Sequence, residues 1–120
     1  MGEQTQTHKD LDVWKLGLVF VKDIYAVTKK FPAEEMYGLT SQLRRAAVSV
    51  PTNIAEGAAK NSRKDFIKYL YISLGSLVEI ETLLYVTELL NYCEVSELMD
   101  SSTRLRMKLL NLIKYQKSKI

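Results

Sequence analysis

The chain has 120 residues, 26% of them charged, and its 17 Lys and Arg against 14 Asp and Glu give a formal net charge of +3. That length suits one domain with a core of its own, and the single cysteine, Cys93, excludes an internal disulfide. Charged residues break every apolar stretch before the roughly 18 residues of a membrane span, and Met1–Asp10 carries no signal-peptide pattern, so the expectation is a soluble protein of the reducing cytoplasm with no membrane contact.

Residues 1–9 read as a flexible polar tail in which the only histidine, His8, is solvated, and residues 10–120 read as one helical domain. The first amphipathic segment runs from about Asp10 to Lys30, with Leu11, Trp14, Leu18, Val21, Tyr25 and Thr28 at helical spacing. Phe31-Pro32 ends it, because the residue before a proline is pushed out of the α region. A turn through Tyr37-Gly38 leads to a second helix, with Thr40 as its N-cap, that continues to about Lys60. At about 100° per residue, Leu39, Leu43, Ala46, Val50 and Ile54 form its apolar stripe, and Gln42, Arg45, Ser49, Asn53 and Glu56 line the edge as a polar seam. Pro51 inside this helix removes one backbone hydrogen bond at a cost of roughly 3 kcal/mol. It is either a tolerated kink or a device that exposes the Ala47 carbonyl or re-aims Asn53 and Glu56.

Ser62-Arg63-Lys64-Asp65 has the Ser-x-x-acid arrangement of a helix start, so a third helix begins almost at once and extends to about Asn91 through Phe66, Leu70, Leu74, Leu77 and Leu84. After Tyr92-Cys93-Glu94, Ser96 is the expected cap of a fourth helix carrying Leu98, Leu105, Leu109 and Leu112. Four amphipathic segments with short connections and no alternating strands give an all-α fold, an antiparallel up-down-up-down four-helix bundle.

Several phrases also read together: Leu11-Asp-Val-Trp14, Phe31-Pro32, Tyr37-Gly-Leu39, Gln42-x-Arg44-Arg-Ala-Ala47, Asn53-Ile-Ala-Glu-Gly57 and Gly75-Ser-Leu-x-Glu79-x-Glu81. Over residues 11–115 the chain resembles the four-helix-bundle family encoded in intervening sequences of bacterial large-subunit ribosomal RNA genes. The resemblance implies a bacterial cytoplasmic bundle that assembles into a homo-oligomeric ring, a pentamer by analogy with related accessory proteins of diversity-generating retroelements, which bind nucleic acid and a reverse transcriptase. It supplies no catalytic residues.

Glu81 falls inside the apolar stripe of the third helix, where a carboxylate needs a partner. Arg45 of the second helix is the first choice and Arg44 the alternative, with Ser49 and Asn53 completing the hydrogen bonds of an ion pair that fixes helix register. The second and third helices are also apolar away from their core stripes, at Val48, Ala55 and Ala59 and at Ile72, Leu83 and Val86, which marks these residues as an oligomer interface.

Charge is blocked along the sequence. Residues 39–68 carry 6 basic and 2 acidic groups, residues 69–103 carry 6 acidic and no basic ones, and residues 104–120 carry 6 basic and no acidic ones. In an alternating bundle, Lys60, Arg63, Lys64, Lys68, Lys114, Lys117 and Lys119 gather at one end, and Glu34, Glu35, Glu88, Glu94, Glu97 and Asp100 at the other. The basic end suits a phosphate backbone, RNA or DNA; the same lysines also complement helix dipoles, which leaves an adaptor binding another polypeptide as the other reading. No metal or cofactor set, glycine-rich phosphate loop or nucleophile–base arrangement is present, which argues against an enzyme. Nor does any recognition-helix motif or aromatic stacking signature specify bases.

Overall fold

In the computed structural model, which describes His8 and residues 11–120, the chain runs through four helices: α1 (Asp12–Thr28), α2 (Ser41–Ala58), α3 (Arg63–Leu89) and α4 (Ser96–Ser118). The tail expected at residues 1–9 lies, His8 apart, outside the described residues. His8 itself is half-buried, not solvated: its ring meets Trp14 edge-on at 4.9 Å and its carbonyl accepts from the Leu11 amide.

Interhelical contacts fix the directions. Thr28 meets Arg44 while Gly17 meets Pro51, Ser49 meets Ser76 while Gly57 meets Tyr69, and Glu81 meets Arg106 while Arg63 meets Gln116. In each pair one number falls as the other rises, so successive helices are antiparallel. The bundle measures 52 × 19 × 19 Å, and the core runs along its axis through Ile24, Leu43, Ile54, Leu77, Leu84 and Leu109, all fully buried.

Phe31-Pro32 stops α1, and Ser62 caps α3 by accepting from the Asp65 amide at 3.1 Å, as the sequence predicts. The other two expected caps are replaced. Thr40 is helical, buried and makes no side-chain cap. Instead a short 3₁₀ turn (Ala33–Glu35) and a wide turn (Met36–Thr40) enter α2, and the Glu35 carboxylate accepts from the Leu39 amide at 3.1 Å. Ser96 also makes no cap; Glu94 accepts from its amide at 2.8 Å. Carboxylates suit both places, because helix starts present free N–H groups and positive potential. At the other end of α3, Asn91 adopts φ 57° while its amide bonds Glu88 and that of Tyr92 bonds Thr87, the paired hydrogen bonds of a left-handed helix stop.

The buried stripe of α1 differs from the expected one. Val13, Gly17, Phe20, Ile24 and Thr28 are buried, while Leu18 and Tyr25 are exposed. Both stripes are apolar, and the one taken sets Gly17 against the Pro51 ring, where an added Cβ would stand at an ordinary contact distance of 3.4 Å from Pro51 Cβ. Pro51 and Ala47 are buried in this contact, so the proline packs two helices together and does not offer the Ala47 carbonyl to a partner. Leu83 likewise belongs to the core, not to an outer face. It stands two turns after Ser76, on the side of α3 that meets α2. By length and composition α3 is apolar enough to cross a bilayer, a property shared by core helices packed on two sides.

Candidate functional site

The polar groups sort into a seam, an acidic end and a basic end. Along α2–α3, Ser49 and Ser76 share a hydrogen bond of 2.8 Å, Asn53 donates back to both the carbonyl and the hydroxyl of Ser49, and Ser73 donates to the Val50 carbonyl. Gln42, Arg45 and Glu56 stand exposed at its edge. This seam does not receive Glu81. The Glu81 carboxylate turns to α4, accepting from Ser102 Oγ at 3.0 Å and Arg106 Nε at 3.1 Å, so neither Arg45 nor Arg44 is its partner. Arg44 instead holds the end of α1, through Nε to Thr28 Oγ1 at 2.8 Å and its guanidinium 4.5 Å from the Tyr25 ring centroid. The stripe containing Glu81 adjoins two helices, and spacing within α3 does not say which one supplies the cation. A signal existed in Ser102 and Arg106, a polar i, i+4 pair on an otherwise apolar side of α4.

The acidic end is closed by Glu35. One carboxylate oxygen accepts from the Leu39 amide and the other from Tyr92 Oη at 2.8 Å, while the Tyr92 ring tilts against Phe31 at 5.5 Å. Gly38 makes room for this, since a Cβ there would fall 2.9 Å from the carboxylate. The Leu39 amide, and then Tyr92, hold the Glu35 carboxyl below its ordinary value of 4.5, and the same bond raises the Tyr92 phenol above 10.0. Stability from Glu35 is therefore present above the ordinary carboxylate range and lost as pH falls through its lowered value; that from Tyr92 is present below 10.0 and lost as pH rises through its raised value. Melting temperature measured against pH should decline on both flanks. Glu35→Gln should flatten the acid decline and Tyr92→Phe the alkaline one. Unchanged profiles in both variants would remove this contact from the stability of the fold.

At the basic end, α1 and α3 start and α2 and α4 stop, with Asp12 and Asp65 the acidic residues in the first turns of α1 and α3. Arg63 Nη1 donates to Gln116 Oε1 across α3 and α4, Lys60 lies 5.4 Å from the Tyr69 ring centroid, Lys117 lies 5.0 Å from that of Tyr71, and Lys119 lies 5.3 Å from that of Tyr115. A shallow cleft lined by Leu11, Lys60, Ser62, Arg63, Phe66 and Gln116 lies among these helix ends. Lys64, Lys68 and Lys114 stand exposed beside it. The structure therefore brings the basic residues into the expected cluster and adds three tyrosines to it, of which Tyr71 and Tyr115 are exposed. Both lie in basic–aromatic runs, Lys68-Tyr69-Leu70-Tyr71 and Lys114-Tyr115-Gln116-Lys117, and that adjacency was the available signal.

Residues 9–113 match the family described as 23S rRNA-intervening sequence protein. The chain belongs to that family. No curated protein matches it. Among solved structures, the 23S rRNA-intervening sequence fold of this chain is similar to a crystal structure from Bacteroides thetaiotaomicron, described as a protein of unknown function from the S23 ribosomal protein family. The two share 27% identity and a TM-score of 0.79 over 85% of this chain and 95% of that one. The family match covers α1–α3 and most of α4, so it includes the polar seam and the Glu81–Arg106 pair, while Lys114, Lys117 and Lys119 lie just beyond it.

Proposed function

We propose that this protein is a non-catalytic, homo-oligomeric helical bundle of the cytoplasm whose basic end binds the phosphate backbone of RNA or DNA. The observation that carries this reading is the convergence of Lys60, Arg63, Lys64, Lys68, Lys114, Lys117 and Lys119 on one end of an elongated molecule, with Asp65 the one acidic residue between Lys60 and Val78 and none after Asp100. Their spread over three helix termini exceeds what completing individual helix dipoles requires, since α3 begins there and its N-terminus disfavours cations. Replacing Arg63, Lys64, Lys114 and Lys117 together with glutamine should abolish binding to an RNA or DNA oligonucleotide without changing helicity. Binding by the parent should weaken steeply with added salt, because each neutralised phosphate releases condensed counterions. A parent that binds neither nucleic acid at low salt overturns the reading in favour of an adaptor for another polypeptide.

Assembly is proposed through the outer faces of α2 and α3. Val48, Ile72 and Val86 are each more than a third exposed, with Ala55 and Ala59 following Val48 along α2, and such a surface is better covered by another copy than by water. Light scattering of the parent should give several times the monomer mass, a pentamer by family resemblance. Val48→Asp should lower that mass while leaving helicity unchanged. A monomeric parent at micromolar concentration removes the oligomer.

A further inference from the structure

Tyr71 is 43% exposed, less than Tyr37, Tyr85 or Tyr115, and what sets it apart is the lysines that flank it on α3 and α4. Lys64 and Lys68 precede it by seven and three residues, which places all three within an arc of about 60° on α3. The Lys117 ammonium lies 5.0 Å from the ring centroid, and Lys114 is one turn earlier on α4. All four lysines are exposed.

We propose that Lys64, Lys68 and Tyr71 of α3, with Lys114 and Lys117 of α4, form a single-strand nucleic-acid site in which a base stacks on the Tyr71 ring and the lysines hold the flanking phosphates. This rests on the basic-end reading and narrows it to one face and one class of ligand. A duplex keeps its base faces stacked internally, so it engages only the lysines; an unpaired base presents a free π-face that an exposed ring receives. The Lys117 contact does not block the ring. An exposed cation–π contact is weaker than base–aromatic stacking, so the ammonium yields its place to the base and turns to a flanking phosphate. A second copy meeting this patch through the same residues is a poor occupant, because it would set these lysines against their own equivalents, and the oligomer proposed above uses Val48, Ala55, Ala59, Ile72 and Val86 instead.

The test compares full-length parent, Tyr71→Ala and Tyr71→Trp for binding to three labelled probes of about twelve nucleotides, a length within the usual footprint of single-strand-binding folds. The probes are a single-stranded oligonucleotide, the same backbone with abasic positions, and a duplex. Tyr71→Ala should weaken binding of the single strand by roughly 5- to 100-fold and leave the abasic and duplex probes unaffected, and Tyr71→Trp should restore it. Equal loss on all three probes, no loss on any, failure of Tyr71→Trp to restore the single strand, or equal competition by polyglutamate overturns the stacking site. If the parent binds all three probes in a salt-dependent way and Tyr71→Ala changes none, the basic end stands and the stacking site falls. If the parent binds none, both fall.

Discussion

Gly57→Ala should destabilise the bundle by a net of about 2 kcal/mol, against the direction that helix propensity alone dictates. In a helix interior alanine is favoured over glycine by about 1 kcal/mol. At Gly57, however, an added Cβ would stand 2.6 Å from Tyr69 Cβ, 3.1 Å from Phe66 Cδ1 and 3.3 Å from the Phe66 carbonyl oxygen. Tyr69 Cβ is fixed to the α3 backbone, so no rotamer change relieves the contact and the two helices must part. Overpacking of this kind costs up to about 3 kcal/mol, which outweighs the propensity gain. Tyr69 also lies beneath Lys60, so separating α2 from α3 here shifts the basic end, and Gly57→Ala should weaken nucleic-acid binding as well as stability. Urea denaturation measures the first effect. A neutral or stabilising result would mean that α2 and α3 do not approach this closely at Gly57.

The helices were legible because their signals are local. Phe31-Pro32 and Ser62 with Asp65 act through backbone geometry and hydrogen bonds within four residues, and the structure reproduces both boundaries. Thr40 and Ser96 make no caps for a related reason: the carboxylates act earlier in the chain, Glu35 on the Leu39 amide and Glu94 on the amide of Ser96 itself, and a side chain reaching forward is not visible in a rule about the residue at the boundary. The α1 stripe differs from the expected one because two adjacent stripes are apolar, and hydrophobic spacing within α1 does not say which of them meets Pro51 and the rest of α2.

The same limit governs the site. Charge blocks and helix alternation sufficed to gather Lys60, Arg63 and Lys117 at one end, since that follows from topology. Which tyrosine each lysine meets depends on the rotation of each helix about its axis, and Tyr69 and Tyr71, two residues apart, point to different neighbours. Leu83 shows the converse error. An apolar residue away from the main stripe reads as outward until the packing of α2 is known, and here it is covered.

Glu81→Ala should cost about 2 kcal/mol, less than removal of a partner from a fully buried ion pair. The Glu81 and Arg106 side chains retain 20% and 32% of their exposure, so Arg106 released from its partner reaches water and escapes most of the penalty of a buried lone charge. Ser102 has no such escape. It is fully buried, and its hydroxyl donates to the same carboxylate oxygen, so losing Glu81 leaves a buried donor without its acceptor, a cost of about 1–3 kcal/mol. The asymmetry is testable by replacing the partners one at a time. Arg106→Ala, which leaves the Ser102–Glu81 bond in place, should cost about 1 kcal/mol or less, and Glu81→Gln, which retains an acceptor for Ser102, should fall between the two alanine variants. If Glu81→Ala and Arg106→Ala prove equally costly in denaturant titrations, the charge pair dominates and Ser102 is a bystander. If Glu81→Ala is as stable as the parent but loses nucleic-acid binding, the carboxylate serves recognition and not the register between α3 and α4.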